Sequence, residues 1–265
     1  MEANDPKGII VQNKIATVRR QLSKLESKKL LLENLLRQLE KQSATQLNPS
    51  VSSPPSLVRP PLRWTDDNVR LFAALFRGRE DVFPRRWKSQ AGKSGYSPVC
   101  KNEWKRNVCP KPKGKCYDCL HKDYVPLTLD HIRQHLSGRM TIGVYPLLQD
   151  ETCHFLAVDF DKSTWMEDVA AFTRVCSRHK IAYALERSRS GNGSHVWFFF
   201  ERPLLARLAR RFGCALLTET MDARHQVGLD SYDRLFPSQD TMPKGQFGNL
   251  IALPLQAEPA QSGNS

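Results

Sequence analysis

The apolar positions of this chain change period three times, and each change marks an element. Residues 10–42 place Ile15, Val18, Leu22, Leu25, Leu32, Leu36 and Leu39 at alternating three- and four-residue steps, with Lys29 interrupting the seam at one core position. That spacing predicts one long helix with the seam of a short coiled coil, which would pair with another helix, most simply its own copy. The pattern is lost over 43–63, where Ser, Pro, Gln and Asn dominate, and a linker is expected there. Helical period returns over 66–77, with Asp66 as the expected cap. From Thr128 the periods alternate. Helices are predicted over 128–137, 164–180 and 204–220, and strands over 141–148, 154–160, 182–186, 195–200 and 249–255. Strand, helix, strand, strand, helix, strand is the split-βαβ order of ferredoxin-like and palm-type sheets, so the fold class is mixed α/β (α+β).

Charge sharpens this organisation. The 265 residues carry a net charge of +13, but residues 127–265 hold 15 basic and 15 acidic side chains. The excess lies upstream: 11 basic against 5 acidic over 1–64, and 14 against 7 over 65–126. Such a bias suits a polyanion partner, because Lys and Arg contacts to phosphate dominate nucleic-acid affinity. No run of eighteen apolar residues predicts a membrane span, and the start of the chain has no apolar signal region, so a cytoplasmic protein is the expectation.

The chemistry concentrates at two strand ends. Asp159 and Asp161 close the apolar run that starts at Cys153; alternation puts both carboxylates on one face and Leu156, Val158 and Phe160 on the other. Two close carboxylates repel, and a divalent metal resolves the conflict by binding both. Further on, Ser190-Gly-Asn-Gly-Ser-His195 is a glycine turn that delivers a histidine onto the next apolar strand. A metal-binding pair beside a glycine-presented histidine suggests the handling of a metal-bound polyphosphate.

Seven cysteines, an odd number without a signal region, argue against a disulfide framework. Cys100, Cys109, Cys116 and Cys119 fall within twenty residues, the last pair at the knuckle spacing of structural zinc; four thiolates would close the tetrahedron, with His121 a substitute ligand. Residues 85–122 hold 11 basic and 2 acidic side chains, interleaved with Trp87, Tyr96, Trp104 and Tyr117. Basic groups and exposed aromatics together can grip single-stranded nucleic acid.

The motifs as a set resemble a known family. Asp159-Phe-Asp161, Gly193-Ser-His195 and a later acidic motif are similar in order and spacing to the three motifs of the archaeo-eukaryotic primase superfamily. The likeness is closer still to the primase-polymerase domain of TOTE conflict systems and related CRISPR-associated primase-polymerases. It is carried by Phe76-Arg-Gly-Arg-Glu-Asp-Val-Phe83, the four-cysteine insert, Leu156-Ala-Val-Asp-Phe-Asp-Lys162, Glu186-Arg-Ser-Arg-Ser-Gly-Asn-Gly-Ser-His-Val-Trp197, Ser231-Tyr-Asp-Arg-Leu-Phe-Pro-Ser-Gln-Asp240 and Phe247-Gly-Asn-Leu-Ile-Ala-Leu-Pro-Leu-Gln256. The resemblance implies a template-directed nucleotidyltransferase with an RRM-like, palm-type catalytic core and a small zinc-binding insert. It implies that Asp159, Asp161 and a third carboxylate hold two Mg2+ or Mn2+ ions, and that His195 contacts the incoming nucleotide's phosphates. Asp240 is preferred as the third carboxylate, with Asp233 and Asp230 as rivals. Ser190, Gly191, Gly193, Ser194, Arg187, Arg189 and Lys162 are the remaining candidates around the triphosphate. Zn2+, bound by the four cysteines, is the structural metal.

The expected organisation is therefore a coiled-coil helix over 1–43, a linker over 44–64, a basic region with the zinc module over 65–126, the catalytic core over 127–256 and a disordered tail over 257–265. Expected partners are a single-stranded DNA template, nucleoside triphosphates, a second copy of the chain through 10–42, and a helicase encoded elsewhere, since no Gly-x4-Gly-Lys-Ser/Thr loop is present. Related chains continue beyond the position of Leu255, so a truncated product or a separately encoded subunit is expected. Two other readings compete: a zinc-dependent nucleic-acid-binding oligomeric scaffold with an inactive core, and a metal-dependent nuclease, for which paired aspartates also serve.

Overall fold

The computed structural model describes residues 64–224 and 229–265. The helix and linker expected over 1–63 lie outside the described residues. Helix α1 (Asp66–Leu75) is capped by Thr65, whose hydroxyl accepts the Asn68 N–H at 3.2 Å. Asp66, expected as the cap, is instead the first helical residue and bonds Arg133 at 2.7 Å. A hairpin follows, β1 (Pro84–Lys88) with β2 (Ser94–Pro98), then a cysteine-bearing loop with one 3-10 turn (Cys116–Asp118). Helix α2 (Leu129–Leu136) and strand β3 (Gly143–Val144) complete the first half.

The main sheet is built from four antiparallel strands. β4 (Thr152–Asp161) leads through α3 (Trp165–Arg178) to β5 (Ala184–Arg187), β6 (Gly193–Leu205), α4 (Ala206–Arg224) and β7 (Tyr232–Phe236), in the spatial order β5-β6-β4-β7. This is the split-βαβ arrangement expected from the sequence, with one correction. The fourth strand is β7, not the run over 249–255. Only β8 (Ile251–Ala252) forms in that run, and it pairs with β3 in a separate two-stranded sheet. The strand expected over 141–148 likewise shrinks to β3.

Alternation sorts the residues of the sheet between two cores. Leu156, Val158, Phe160, Val196, Phe198 and Leu235 face α3 and α4, packing with Phe172, Val175, Ala209 and Leu216. Phe155, Ala157, Trp197 and Phe236 face the other way, onto Val69, Phe72, Phe83, Ile132 and Ile251. The second cluster joins residues from both sides of position 126. The boundary expected there is therefore not a structural division, and residues 65–126 share a core with 127–256. The expected disordered tail is also corrected: helix α5 (Ala257–Gln261) forms, and the Ser265 hydroxyl accepts the Leu255 N–H at 2.7 Å. Among the described residues no helix is long and apolar enough to cross a membrane.

Candidate active site

On the face away from α3 and α4, the sheet's apolar residues give way to polar ones at the end where β4 stops. Asp159 stands opposite His195 on β6, and His195 stands opposite Glu186 on β5. Their side chains meet in the order that register dictates. His195 Nε2 lies 3.5 Å from Asp159 Oδ1, and its Nδ1 lies 3.0 Å from Glu186 Oε2. Asp161 shares the face two residues on, as expected.

β7 supplies the third side of the site by an irregularity. Asp159 pairs with Arg234, but Phe160 pairs with Tyr232, so Asp233 is an extra residue in β7. A bulge of this kind re-aims side chains and is frequent beside active sites. Here it leaves two successive residues, Asp233 and Arg234, beside the β4 carboxylates, bonded to each other at 2.6 Å. Burial raises the pKa of Asp159; the charge of His195 and, more weakly, that of Arg234 oppose the rise, while Asp233 and Asp161 add to it.

Asp240 is placed differently. It is ion-paired with Arg210 of α4, the helix packed on the opposite face of the sheet, and its side chain is 53% exposed. The structure brings Asp159, Asp161, Asp233 and His195 together and does not bring Asp240 to them. Lys162 reaches the carbonyl of Asp230 at 3.2 Å.

The glycine turn closes on itself. Gly193 lies so near β4 that a Cβ there would sit 2.5 Å from the Phe160 carbonyl oxygen, so only glycine lets β6 start beside Asp161. Gly191 has φ +77°, in the left-handed region. Arg187 bonds the Gly191 carbonyl at 3.1 Å, and Ser190 Oγ accepts the Asn192 N–H at 3.2 Å. Arg189 bonds Gln256 at 3.3 Å. Ser194 is buried and donates to the Glu186 carbonyl at 2.6 Å, an internal role.

The four clustered cysteines line one cavity of about 20 Å³, with His121, Lys111 and Glu103. Cys119 N–H closes the knuckle turn onto the Cys116 carbonyl at 3.3 Å, and Cys100 Sγ accepts the Asp123 N–H at 3.4 Å.

Residues 67–265 match the model of the TOTE conflict system, Archaeo-Eukaryotic Primase domain. The chain belongs to that family. This primase domain is also similar in structure to the polymerase domain of Mycobacterium tuberculosis ligase D in complex with DNA, at 12% identity and a TM-score of 0.41, over 74% of this chain and 78% of that one. No curated protein matches it.

Polymerases of this superfamily usually work with divalent metals, and the donors at this face bear on such an ion. Asp161 Oδ1 is buried without a hydrogen-bond partner, and burial together with neighbouring carboxylates pushes Asp159 toward its protonated form. Both features suit a cation at this face. Even so, among the described residues no group of three or more His, Cys, Asp or Glu side chains is arranged to hold an ion as it stands, at the carboxylates or at the cysteines.

One site residue was given no role from the sequence, and another was named only as a rival. Glu186 closes an expected strand and opens one of the shared motifs, but its role depends on register with β6. Asp233 was one of two rivals to Asp240, because the bulge that aims it leaves no alternation in Tyr232-Asp-Arg-Leu-Phe236.

Proposed function

We propose that this primase domain is a template-directed nucleotidyltransferase that joins nucleoside triphosphates along single-stranded DNA. The observation that carries the reading is the convergence of Asp159, Asp161, Asp233 and His195 on one sheet face, with Asp161 Oδ1 unpartnered. Asp159, Asp161 and Asp233 would hold the divalent ions; Asp233 replaces Asp240 as the preferred third carboxylate. When bound, two Mg2+ or Mn2+ ions would activate the attacking 3′-hydroxyl and stabilise the pyrophosphate leaving group. His195 Nε2, turned to the carboxylates, meets the nucleotide's phosphates. Arg189 borders the glycine turn and supplies positive charge beside it, whereas Arg187, one register position from Glu186, lies over Trp165 of α3 at 5.9 Å.

The template reading rests on the hairpin and the cysteine loop. Trp87 lies over Gly95, where a Cβ would come within 2.8 Å of the indole, and stays 44% exposed. Trp104 is 64% exposed, with Lys111 Nζ 5.6 Å from its ring centre. Glu103 links the two regions, bonding Arg85 at 3.2 Å and Lys111 at 2.8 Å. Two open indoles on a basic surface suit stacked bases and their phosphates. On the other face of the hairpin, Tyr96 feels the charges of Arg189, beside the glycine turn, and of Arg86.

Zn2+ at Cys100, Cys109, Cys116 and Cys119 is the structural metal of this reading, supported by the shared cavity and the amide–sulfur bond at Cys100. Self-association through residues 10–42 rests on their heptad pattern alone. The test is extension on a single-stranded template, with and without primer, with Mg2+ or Mn2+ and each nucleotide type. Incorporation that requires template and metal supports the reading. DNA binding without incorporation under any condition would favour the scaffold.

A further inference from the structure

Glu186 takes no part in the reaction as described, yet it holds the residue that does. Its side chain is only 10% exposed, and Oε2 accepts two hydrogen bonds: from His195 Nδ1 at 3.0 Å and from Trp197 Nε1 at 2.6 Å. The two donors differ in mobility. Trp197 is fully buried, stacked parallel to Phe199 at 6.3 Å and edge-on to Phe76 at 4.9 Å, so its indole cannot turn. The His195 ring, on the same face, is 14% exposed, and a terminal imidazole torsion is broad and two-fold when nothing holds it. One carboxylate thus ties a ring that could rotate to a ring that cannot.

The consequence falls on the other nitrogen. Which imidazole nitrogen is free for function is set by the bond the other one makes. With Nδ1 committed to Glu186, Nε2 is turned to Asp159 and the β4 carboxylates. A ring flipped about its torsion would bring carbon atoms where the nitrogens stand and lose both contacts.

We propose that Glu186 is a positioning residue for nucleotide binding: it anchors His195 to Trp197 and so fixes Nε2 where the triphosphate enters. The proposal rests on the reading of His195 as a phosphate contact. Partners that orient a functional histidine in metal sites are worth about 10–100-fold in affinity or activity. A loss near the lower end is expected here, since His195 itself remains.

The test is a double-mutant cycle on the full chain, read by calorimetric binding of the Mn2+–nucleotide complex and, separately, by nucleotide KM, kcat and single-stranded DNA affinity. Glu186→Ala should weaken nucleotide binding roughly tenfold, at the lower end of that range, and raise KM more than it lowers kcat. DNA affinity should not change. In a His195→Ala background Glu186→Ala should add nothing, because its effect passes through the ring. Glu186→Gln, which keeps one acceptor oxygen in place, should recover part of the loss and carries the cycle if the alanine variant melts early. An undiminished effect in the His195→Ala background, an unchanged nucleotide affinity, or a parallel loss of DNA binding overturns the proposal. The two readings fail separately. Nucleotide binding without incorporation defeats the polymerase reading and leaves the cycle readable, while incorporation with an additive cycle defeats only the role of Glu186. A wild-type chain that binds no nucleotide overturns both.

Discussion

Asp159 is held at a cost. Burial raises its pKa, and the neighbouring carboxylates Asp233 and Asp161 push in the same direction. A group with a raised folded pKa gives stability that is fully present below its unfolded pKa, about 3.9, and is lost as pH rises through the folded value. At neutral pH the ionised carboxylate therefore works against the fold. Asp159→Asn should raise the Tm of chelator-treated protein near neutral pH, by roughly 2–4 °C per kcal/mol relieved, and should give no gain in strong acid. The same substitution, or Asp161→Ala, should abolish nucleotide incorporation with the circular dichroism spectrum retained. Full activity in both would remove the carboxylates from the chemistry.

The third carboxylate is decided by the same pair of measurements. The charge of Asp233 reaches Asp159, whereas Asp240 is engaged by Arg210 across an exposed surface. Asp233→Ala should reduce incorporation to the level of Asp159→Ala. Asp240→Ala should leave turnover within about twofold and cost at most about 1 kcal/mol, the range of a surface ion pair. The reverse ranking in a primer-extension assay would restore Asp240. The sequence presents both as acidic residues in one motif; the bulge in β7 and the Arg210 ion pair separate them.

At the scale of elements, what could be read in advance was what the periodicity encodes. β4 and β6 are apolar runs that end in their site residues, so Asp159, Asp161 and His195 were legible as a set. β7 was not, because its two successive polar residues break the alternation on which a strand is recognised. The β1–β2 hairpin was missed for a related reason. Arg85, Arg86 and Lys88 give it no apolar face, and its strand character comes from pairing and from the Trp87–Gly95 contact. α1, α2, α3 and α4 appeared at nearly their observed extents, since each buries one continuous stripe. Asp168 shows how such a stripe can also serve the site. Buried on α3, it bonds the Ser231 N–H at 3.2 Å and its hydroxyl at 2.6 Å, fixing the entry to β7 and with it the register of Asp233. The cysteine loop, like the hairpin, has no apolar stripe of its own. If Zn2+ organises it, purified protein should contain about one zinc per chain, and replacing Cys116 and Cys119 with serine should remove it. Elemental analysis decides this, and zinc retained in the double variant would count against the site.

Across the whole molecule the charge asymmetry acquires a location. Residues 127–265 are balanced, while 85–122 carry 11 basic and 2 acidic side chains on the hairpin and cysteine loop. Tyr96, on the hairpin face away from Trp87, feels the charge of Arg189 beside the glycine turn. Base stacking on an aromatic platform contributes about 1–3 kcal/mol per base, so Trp87→Ala and Trp104→Ala should each weaken single-stranded DNA binding roughly 5–150-fold. Duplex DNA offers no unstacked base, and its affinity should change far less. Replacing Lys101 and Lys105 instead should weaken both kinds of DNA and flatten the salt dependence, because phosphate contacts release counterions whatever the base. Fluorescence anisotropy at several salt concentrations separates the two effects. An equal loss on single-stranded and duplex DNA in the tryptophan variants would make the indoles packing residues of the loop, and the template would have to take another path to Asp159.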